Sequence, residues 1–428
     1  MHYSIIAQVL CGMGIGLPRQ KFLQHLFSTW LSVRGRFNFT NVSRYAFCDE
    51  RTMRRGFERG LSWPEFNGRL LAGLIPADHE MIAAMDASFV PKSGKRTFGL
   101  GHFYSGCAGR ALRGLEVSLM SVVDVTANTG YALGARQTPP GEVTPGSGGK
   151  RKCRNVRHKS KAQESGEKTG AATGTRMDAY LKHFEAVRPS LPGAIRHLAV
   201  DGFYTNRKFV GGVCALGMEI VGKLRRDANL RYLYNGPQKS RGRRRLYAGK
   251  VQWSNLDMRR WKSEGAIEKG IHLYSASLYH ASLKRVIRVV LLLDTTPAKT
   301  RSVLLFSTDL KLPAQTISRY YKARFQIEFL FRDAKQGTGL NHCQARNEKA
   351  LHFHWNAALC MVNLAKCQQV QNEPQPGARH TFSVASCKLR SSNEHLLEVF
   401  SRKLGLDWMS VKSHPAYSDL CSYGVIQQ

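Results

Sequence analysis

Tyr321, Arg324, Glu328 and Lys335 lie in Thr316–Lys335, TISRYYKARFQIEFLFRDAK, whose apolar spacing predicts one long helix. At about 100° per residue, the four side chains fall within roughly 60° of arc on one face. An acid flanked by two cations and a phenol suits one chemistry: the carboxylate holds a divalent metal while its neighbours grip phosphate oxygens. Asp86 and Asp201 add two more acids, each closing a short apolar run, Ala-Ala-Met and Leu-Ala-Val. Acids that end such runs sit at a sheet edge, where sites are built. Phosphoryl transfer on a nucleic acid uses two Mg²⁺ ions about 3.5–4 Å apart, held by hard oxygen ligands. Asp86, Asp201 and Glu328 could supply them. Residue type alone does not select these three from the 30 acidic residues. Asp124, Asp294 and Asp309 also end apolar runs, with turn or capping explanations, and Asp201 could itself cap the segment that follows.

The elements that must position these residues follow from pattern. Residues 18–75 read as helices, including a basic one, Glu50–Gly60, carrying Arg51, Arg54, Arg55 and Arg59. A small helical module with a basic face can bind DNA. Met81–Met85, Thr97–Cys107, Leu112–Val125 and Tyr131–Ala135 read as strands, with Asn128-Thr129-Gly130 as a turn. Residues 136–176 form a basic Pro/Gly/Ser-rich loop. Met177–Val187 (helix), Ile195–Val200 (strand) and Asn206–Leu216 (helix) follow. Residues 219–295 resume strand character: Glu219–Leu224, Leu246–Trp253, Gly270–Ser277 and Val286–Asp294, with Gly242-Arg243-Arg244-Arg245 as a charged hairpin tip. Ser302–Phe306 is one more strand, and Asn347–Gln368 is a second amphipathic helix after the signature. Gln369–Gly377 reads as a linker and 378–428 as a tail with one helix, Asn393–Leu404. A mixed sheet with helices on its faces is the economical α/β solution.

Composition narrows the partners. The chain has 428 residues, 43% of them hydrophobic, enough for two or three domains. Lys and Arg number 64 against 30 Asp and Glu, a net charge of +34. Such an excess implies a polyanion, most simply nucleic acid. No apolar stretch of about 18 residues occurs, so no membrane span is expected. Met1–Leu17 lacks a basic n-region, and the protein is expected in the cytoplasm. Ten scattered cysteines without CxxC spacing read as reduced. His342, Cys343, His352 and His354 match no standard zinc spacing.

Tyr321, Arg324, Glu328 and Lys335 stand at the spacing of the YREK signature, and here the chain resembles the DDE transposases of the IS-four type. Ser307–Leu310 (STDL), Gly339-Leu340, the segment MDASFVPKSGK from Met85 and LAVDGFY from Leu198 agree with the family's pattern. The resemblance covers roughly residues 35–366. It implies a ribonuclease H-like mixed-sheet core with a β-rich insertion and an N-terminal helical domain. The corresponding division is 1–75 (helical, DNA-binding), 76–218 (first part of the core), 219–295 (insertion), 296–368 (second part, with the signature helix) and 369–428 (tail, a possible dimer contact).

The resemblance further implies that Asp86, Asp201 and Glu328 hold two Mg²⁺ ions, for which Mn²⁺ can substitute. Tyr321, Arg324 and Lys335 would contact transposon-end DNA, and a Trp of the insertion, Trp253 or Trp261, would stack on a flipped base. It implies cut-and-paste transposition: metal-assisted cleavage at terminal inverted repeats, then transfer of 3′-hydroxyl ends to target DNA by a homodimer in a bacterial cytoplasm, nucleoid-associated when bound. A domesticated, catalytically inactive DNA-binding protein is the alternative reading. The chain departs from the family in two places: Gly202-Phe203-Tyr204 follows Asp201 where relatives often carry Arg, and the basic loop 136–176 is long.

Overall fold

The computed structural model describes residues 2–46, 48–140, 174–253, 255–268, 270–295, 301–372 and 382–426. Most of the basic loop 136–176 and part of the linker Gln369–Gly377 therefore lie outside the described residues. Five helices come first: α1 (His2–Cys11), α2 (Leu17–Trp30), α3 (Phe39–Ser43), α4 (Glu50–Glu58) and α5 (Trp63–Ala72). Four strands follow, β1 (Met81–Pro91), β2 (Gly101–Ser105), β3 (Arg110–Asp124) and β4 (Thr129–Gln137). Then come α6 (Arg176–Val187), β5 (His197–Val200), α7 (Arg207–Ala215) and β6 (Glu219–Leu224). A strand-rich block holds β7 (Leu230–Leu233), β8 (Tyr247–Lys250), β9 (Lys262–Glu268), β10 (Ile271–His280) and β11 (Arg285–Asp294). The chain continues through β12 (Arg301–Ser307), α8 (Ala314–Ala323), α9 (Gln326–Gln336), α10 (Glu348–Asn372), α11 (Val384–Lys403), α12 (Trp408–Ser413) and α13 (Tyr417–Cys421).

The twelve strands among the described residues join one mixed sheet, in the order β2-β3-β1-β5-β6-β12-β11-β10-β7-β8, with β4 on β3 and β9 on β10. The pairs β1–β5 and β5–β6 are parallel; β1–β3, β3–β4 and β6–β12 are antiparallel. The period of two along each strand divides the core between the faces. Ile82, Ala84, Ala199 and Val221 face a cluster with Ile317, Ile327, Leu330 and Ala334 of α8 and α9. Ala83, Met85, Leu198, Val200 and Ile220 face a second cluster with Phe184 of α6 and Phe209 of α7.

Three expectations change. The stretch Thr316–Lys335 is two helices, not one. Between them Phe325, Ile327 and Glu328 donate to the carbonyls three residues back, Lys322, Arg324 and Phe325. That tighter winding turns α9 relative to α8, and tertiary packing dictates it: α8 lies on β5, β6 and β12, whereas α9 lies on β1, β3 and β4. Second, Glu219–Leu224, read as the start of the insertion, is β6 and pairs directly with β5 in the central sheet. The strands read as an insertion extend that same sheet through β12. Third, the N-terminal helices share the core of α10 rather than forming one of their own. Phe57 packs on Phe353 with ring centroids 4.6 Å apart, and the Trp30 indole N–H donates to the Thr338 carbonyl at 2.9 Å, just beyond α9.

Two buried histidines brace this arrangement. Burial, opposed by a hydrogen bond to the Gly339 carbonyl, pushes His354 down to about 4, and burial pushes His183 down to about 3. Both are neutral in the folded chain at pH 7. Because their folded values lie below the ordinary 6.5, the unfolded chain takes up protons first as pH falls. Stability is therefore fullest above about pH 6.5 and declines toward pH 4, by roughly 1.4 kcal/mol per pH step for each histidine. The expected melting temperature falls across that window, and His354→Gln, which keeps a donor for Gly339, shows a shallower decline. An identical slope in the variant contradicts the assignment.

Candidate active site

Asp86 sits in the middle of β1, not at its end as the apolar run suggested. Its neighbour β5 stops at Val200, which pairs with Met85. Asp86 and Asp201 are thus the next residues on adjacent parallel strands, which stand about 4.8 Å apart. They follow Ala84 and Ala199 by two positions and so share the face covered by α8 and α9. Strand pairing alone brings together two acids 115 positions apart (201 − 86).

The signature helices supply the rest. Arg324 is buried; its Nη2 donates to Glu328 Oε1 at 2.9 Å and its Nη1 stands 3.9 Å from Asp86 Oδ2. Its guanidinium also lies 5.3 Å from the centre of the Tyr321 ring. The Tyr321 hydroxyl donates to Asp201 Oδ1 at 3.3 Å. Lys335 Nζ donates to Ser88 Oγ at 2.7 Å, two residues beyond Asp86 on the same strand face. All four signature side chains therefore reach β1, the end of β5, or one another.

Electrostatics ties the acids together. Burial pushes the Asp86 carboxyl up to about 6; the Ala87 N–H and Arg324 pull it down, and Asp201 and Glu328 push it up again. Burial also raises the Tyr321 hydroxyl to about 12, so it remains a donor. For Arg324 burial opposes the charge, but Tyr321, Glu328 and Asp86 more than offset it and keep the guanidinium protonated. Burial lowers Lys335.

The donor set of Asp86, Asp201 and Glu328 is all carboxylate oxygen, which fits a hard cation such as Mg²⁺. Mutual repulsion at Asp86 is the field such a cation relieves. As the side chains stand, however, no three His, Cys, Asp or Glu among the described residues converge closely enough to hold a metal. The reason is local: Arg324 bonds Glu328 and points its other nitrogen toward Asp86. Glu328 remains 41% exposed and Asp86 26%.

The rival acids are engaged elsewhere. Asp124 accepts from the Ala127 N–H and pairs with His79, and Asp309 accepts from the Lys311 N–H. Asp201 makes no side-chain capping bond to the turn that follows it, so its carboxylate is left for Tyr321. His342 accepts from the Phe37 N–H and His354 bonds Gly339, which gives both a structural use. Trp261 is buried with its N–H on the Tyr232 hydroxyl, and Trp253 packs on it at 6.2 Å. Trp253 follows β8, at the far end of the sheet from β1, and the structure does not bring it to the carboxylates.

Arg51, Arg54 and Arg55 are exposed on α4, whose Met53 and Phe57 are buried. Arg54 bonds Glu50 and lines a cleft of about 1000 Å³ together with Arg36, Lys92, Asn341 and Arg346. Sequence reasoning missed Ser88, Arg36, Lys92 and Arg346. Lys92 bonds the Cys343 carbonyl, a contact between segments 251 positions apart that no local pattern announces.

Residues 166–364 match the family model of the transposase DDE domain. The match supports a DDE transposase. It contains Asp201, Tyr321, Arg324, Glu328 and Lys335, while Asp86 lies before it. No curated protein matches the chain. Among the described residues, no helix is long and apolar enough to cross a membrane.

The Lys335–Ser88 hydrogen bond, which fastens α9 to the Asp86 strand, is open to a double-mutant cycle. Lys335→Met, Ser88→Ala and the double variant, compared by urea unfolding, are expected to show a coupling of about 1–2 kcal/mol. A coupling near zero contradicts the contact.

Proposed function

We propose that the chain is a DDE transposase of the IS-four type that cuts transposon-end DNA with divalent metal and joins the freed 3′-hydroxyls to target DNA. The observation that carries the reading is the pairing of β1 with β5. It sets Asp86 beside Asp201 on the face where Arg324 holds Glu328. The strand order β4-β3-β1-β5-β6, with β3 alone reversed against its neighbours, supports a ribonuclease H-like core. On this reading the insertion begins after β6 rather than at Glu219.

Asp86, Asp201 and Glu328 are the residues that would hold the ions, and in this role they are the catalytic acids. Two bound Mg²⁺ ions, or Mn²⁺ in their place, supply charge at the attacking and the departing oxygen of the phosphodiester. Arg324 and Lys335 each bring a positive charge to the acids' face, where a phosphate oxygen can take their donors. Tyr321 donates to Asp201 and orients it. Arg51, Arg54 and Arg55, with Arg36, Lys92 and Arg346 along the cleft, offer phosphate contacts to the same duplex. The ligands are terminal inverted repeats and target DNA, bound by a homodimer whose tail, 369–428, is a candidate contact. The working place is the cytoplasm, at the nucleoid when the protein is on DNA.

Asp86→Asn, Asp201→Asn and Glu328→Gln test this on DNA carrying the inverted repeats that flank the protein's own reading frame. Each is expected to lower Mg²⁺-dependent cleavage by about 10³-fold or more while retaining DNA binding. Mg²⁺ is expected to raise the melting temperature of the wild type and not of Asp86→Asn. Full cleavage by any of the three sinks the reading. An inactive wild type that still binds those ends favours a domesticated DNA-binding protein.

A further inference from the structure

The outer end of the sheet carries a second concentration of positive charge. Between Lys223 and Lys250 the chain has ten Lys or Arg and a single acid, Asp227. Asp227 pairs with Arg225. Among the described residues no carboxylate pairs with Lys239, Arg241, Arg243, Arg244 or Arg245, and all five are exposed. Aromatic rings are interleaved with them: Arg245 lies 4.5 Å from the Tyr234 ring centre and Arg231 5.3 Å from that of Tyr247. Arg231, Arg245, Tyr247 and Lys250 line a concavity of about 480 Å³.

The tip is built, not loose chain. The Gln238 side chain accepts from the Arg245 N–H at 2.9 Å and donates to the Arg245 carbonyl at 2.8 Å. The Tyr234 hydroxyl donates to the Pro237 carbonyl at 3.0 Å. Gly242 turns the chain at φ +99°, a conformation that favours glycine. Arg241, Arg243 and Arg244 make none of these bonds and stand in solvent around the turn.

Topology fixes where the tip points. From β1, the order β5, β6, β12, β11, β10, β7 passes through directions that are parallel, parallel, reversed, parallel, reversed and parallel to β1. β7 thus runs the same way as β1 and β5, and the tip leaves the same edge of the sheet as Asp201. Lys223, Arg225 and Arg226, at the end of β6, lie on that edge between the two. Seven strand steps separate β1 from β8, a span of up to about 34 Å at about 4.8 Å per step. Twist of about 20° per strand turns the edge along the way, so the tip meets a long ligand from another side than the acids do. One turn of B-form DNA rises about 34 Å.

We propose that the β7–β8 tip is a second phosphate-binding surface, which grips duplex DNA within about one helical turn of the bond held at the carboxylates. The proposal rests on the DNA reading above. An unpaired cation that meets a phosphate releases a counterion, so each contact steepens the salt dependence of binding by about 0.9.

The test uses the full chain and the variant R241A/R243A/R244A, with Arg245 retained because it closes the loop. Random-sequence duplexes of 10 and 30 base pairs serve as probes in a salt titration. On the longer duplex the variant is expected to bind about 10-fold or more weakly, with a log–log salt slope shallower by about 2–3. The wild type is expected to gain affinity per site between the two lengths, and the variant to gain little. Its melting temperature should match the wild type. An unchanged slope and length dependence in the variant overturns the tip contact and leaves the DNA reading standing. A wild type with no salt-dependent duplex binding overturns both.

Discussion

Two neighbouring parallel strands, one stopping where the other runs on, force a charge problem on this protein. β5 stops at Val200 while β1 runs on, so Asp86 and Asp201 emerge side by side on one face. At about 4 Å, two like charges near a protein surface repel by roughly 4 kcal/mol at an effective dielectric of 20. The fold must answer with positive charge or with protons. Arg324 is buried against Asp86 and Glu328, and the Asp86 carboxyl is pushed up to about 6, chiefly by burial and further by Asp201 and Glu328. α8 and α9 are bent at Arg324 because one must cover β5 and the other β1. The site is thus a compensated pair of acids with a third acid held alongside, and under the proposed function the guanidinium stands where a metal would.

That view connects the site to the rest of the molecule. The Lys335–Ser88 bond and the Trp30 bond to Thr338 fix the C-terminal end of α9, the first to β1 and the second to α2. The N-terminal helices thus touch the end of α9 through Trp30 and share the core of α10. Arg54, on α4, faces the same cleft as Lys92, which follows β1. That cleft also includes Pro91, the last residue of β1, five positions beyond Asp86 (91 − 86). The chain's net charge is +34, and Lys223–Lys250 alone contributes ten cations against one acid.

How much of this was legible in the sequence depends on range. Apolar runs ending in an acid made Asp86 and Asp201 candidates beside Asp124, Asp294 and Asp309, and the family resemblance singled them out; helical spacing grouped the four signature residues. The division of Thr316–Lys335 into two helices was not legible: its local propensity is continuous, and only the strands beneath decide the bend. β9 escaped because it is almost wholly exposed and shows no alternation of buried residues. β7 has only four residues, too few for a period to declare itself. β6 was seen as a strand but placed in the wrong part of the sheet, since a sequence shows strands and not their partners. The cleft joins Arg36, Lys92 and Arg346, and no spacing rule reaches that far.

The central claim is that Asp86, Asp201 and Glu328 share one ionic centre once Arg324 yields it. Anomalous diffraction from crystals of the full chain soaked in Mn²⁺ tests it most directly. The account predicts a manganese peak within about 2.2 Å of oxygens from Asp86 and Asp201, with Glu328 turned from Arg324 toward the ion. A peak bound elsewhere, with the Arg324–Glu328 contact intact and the two aspartates bare, contradicts it.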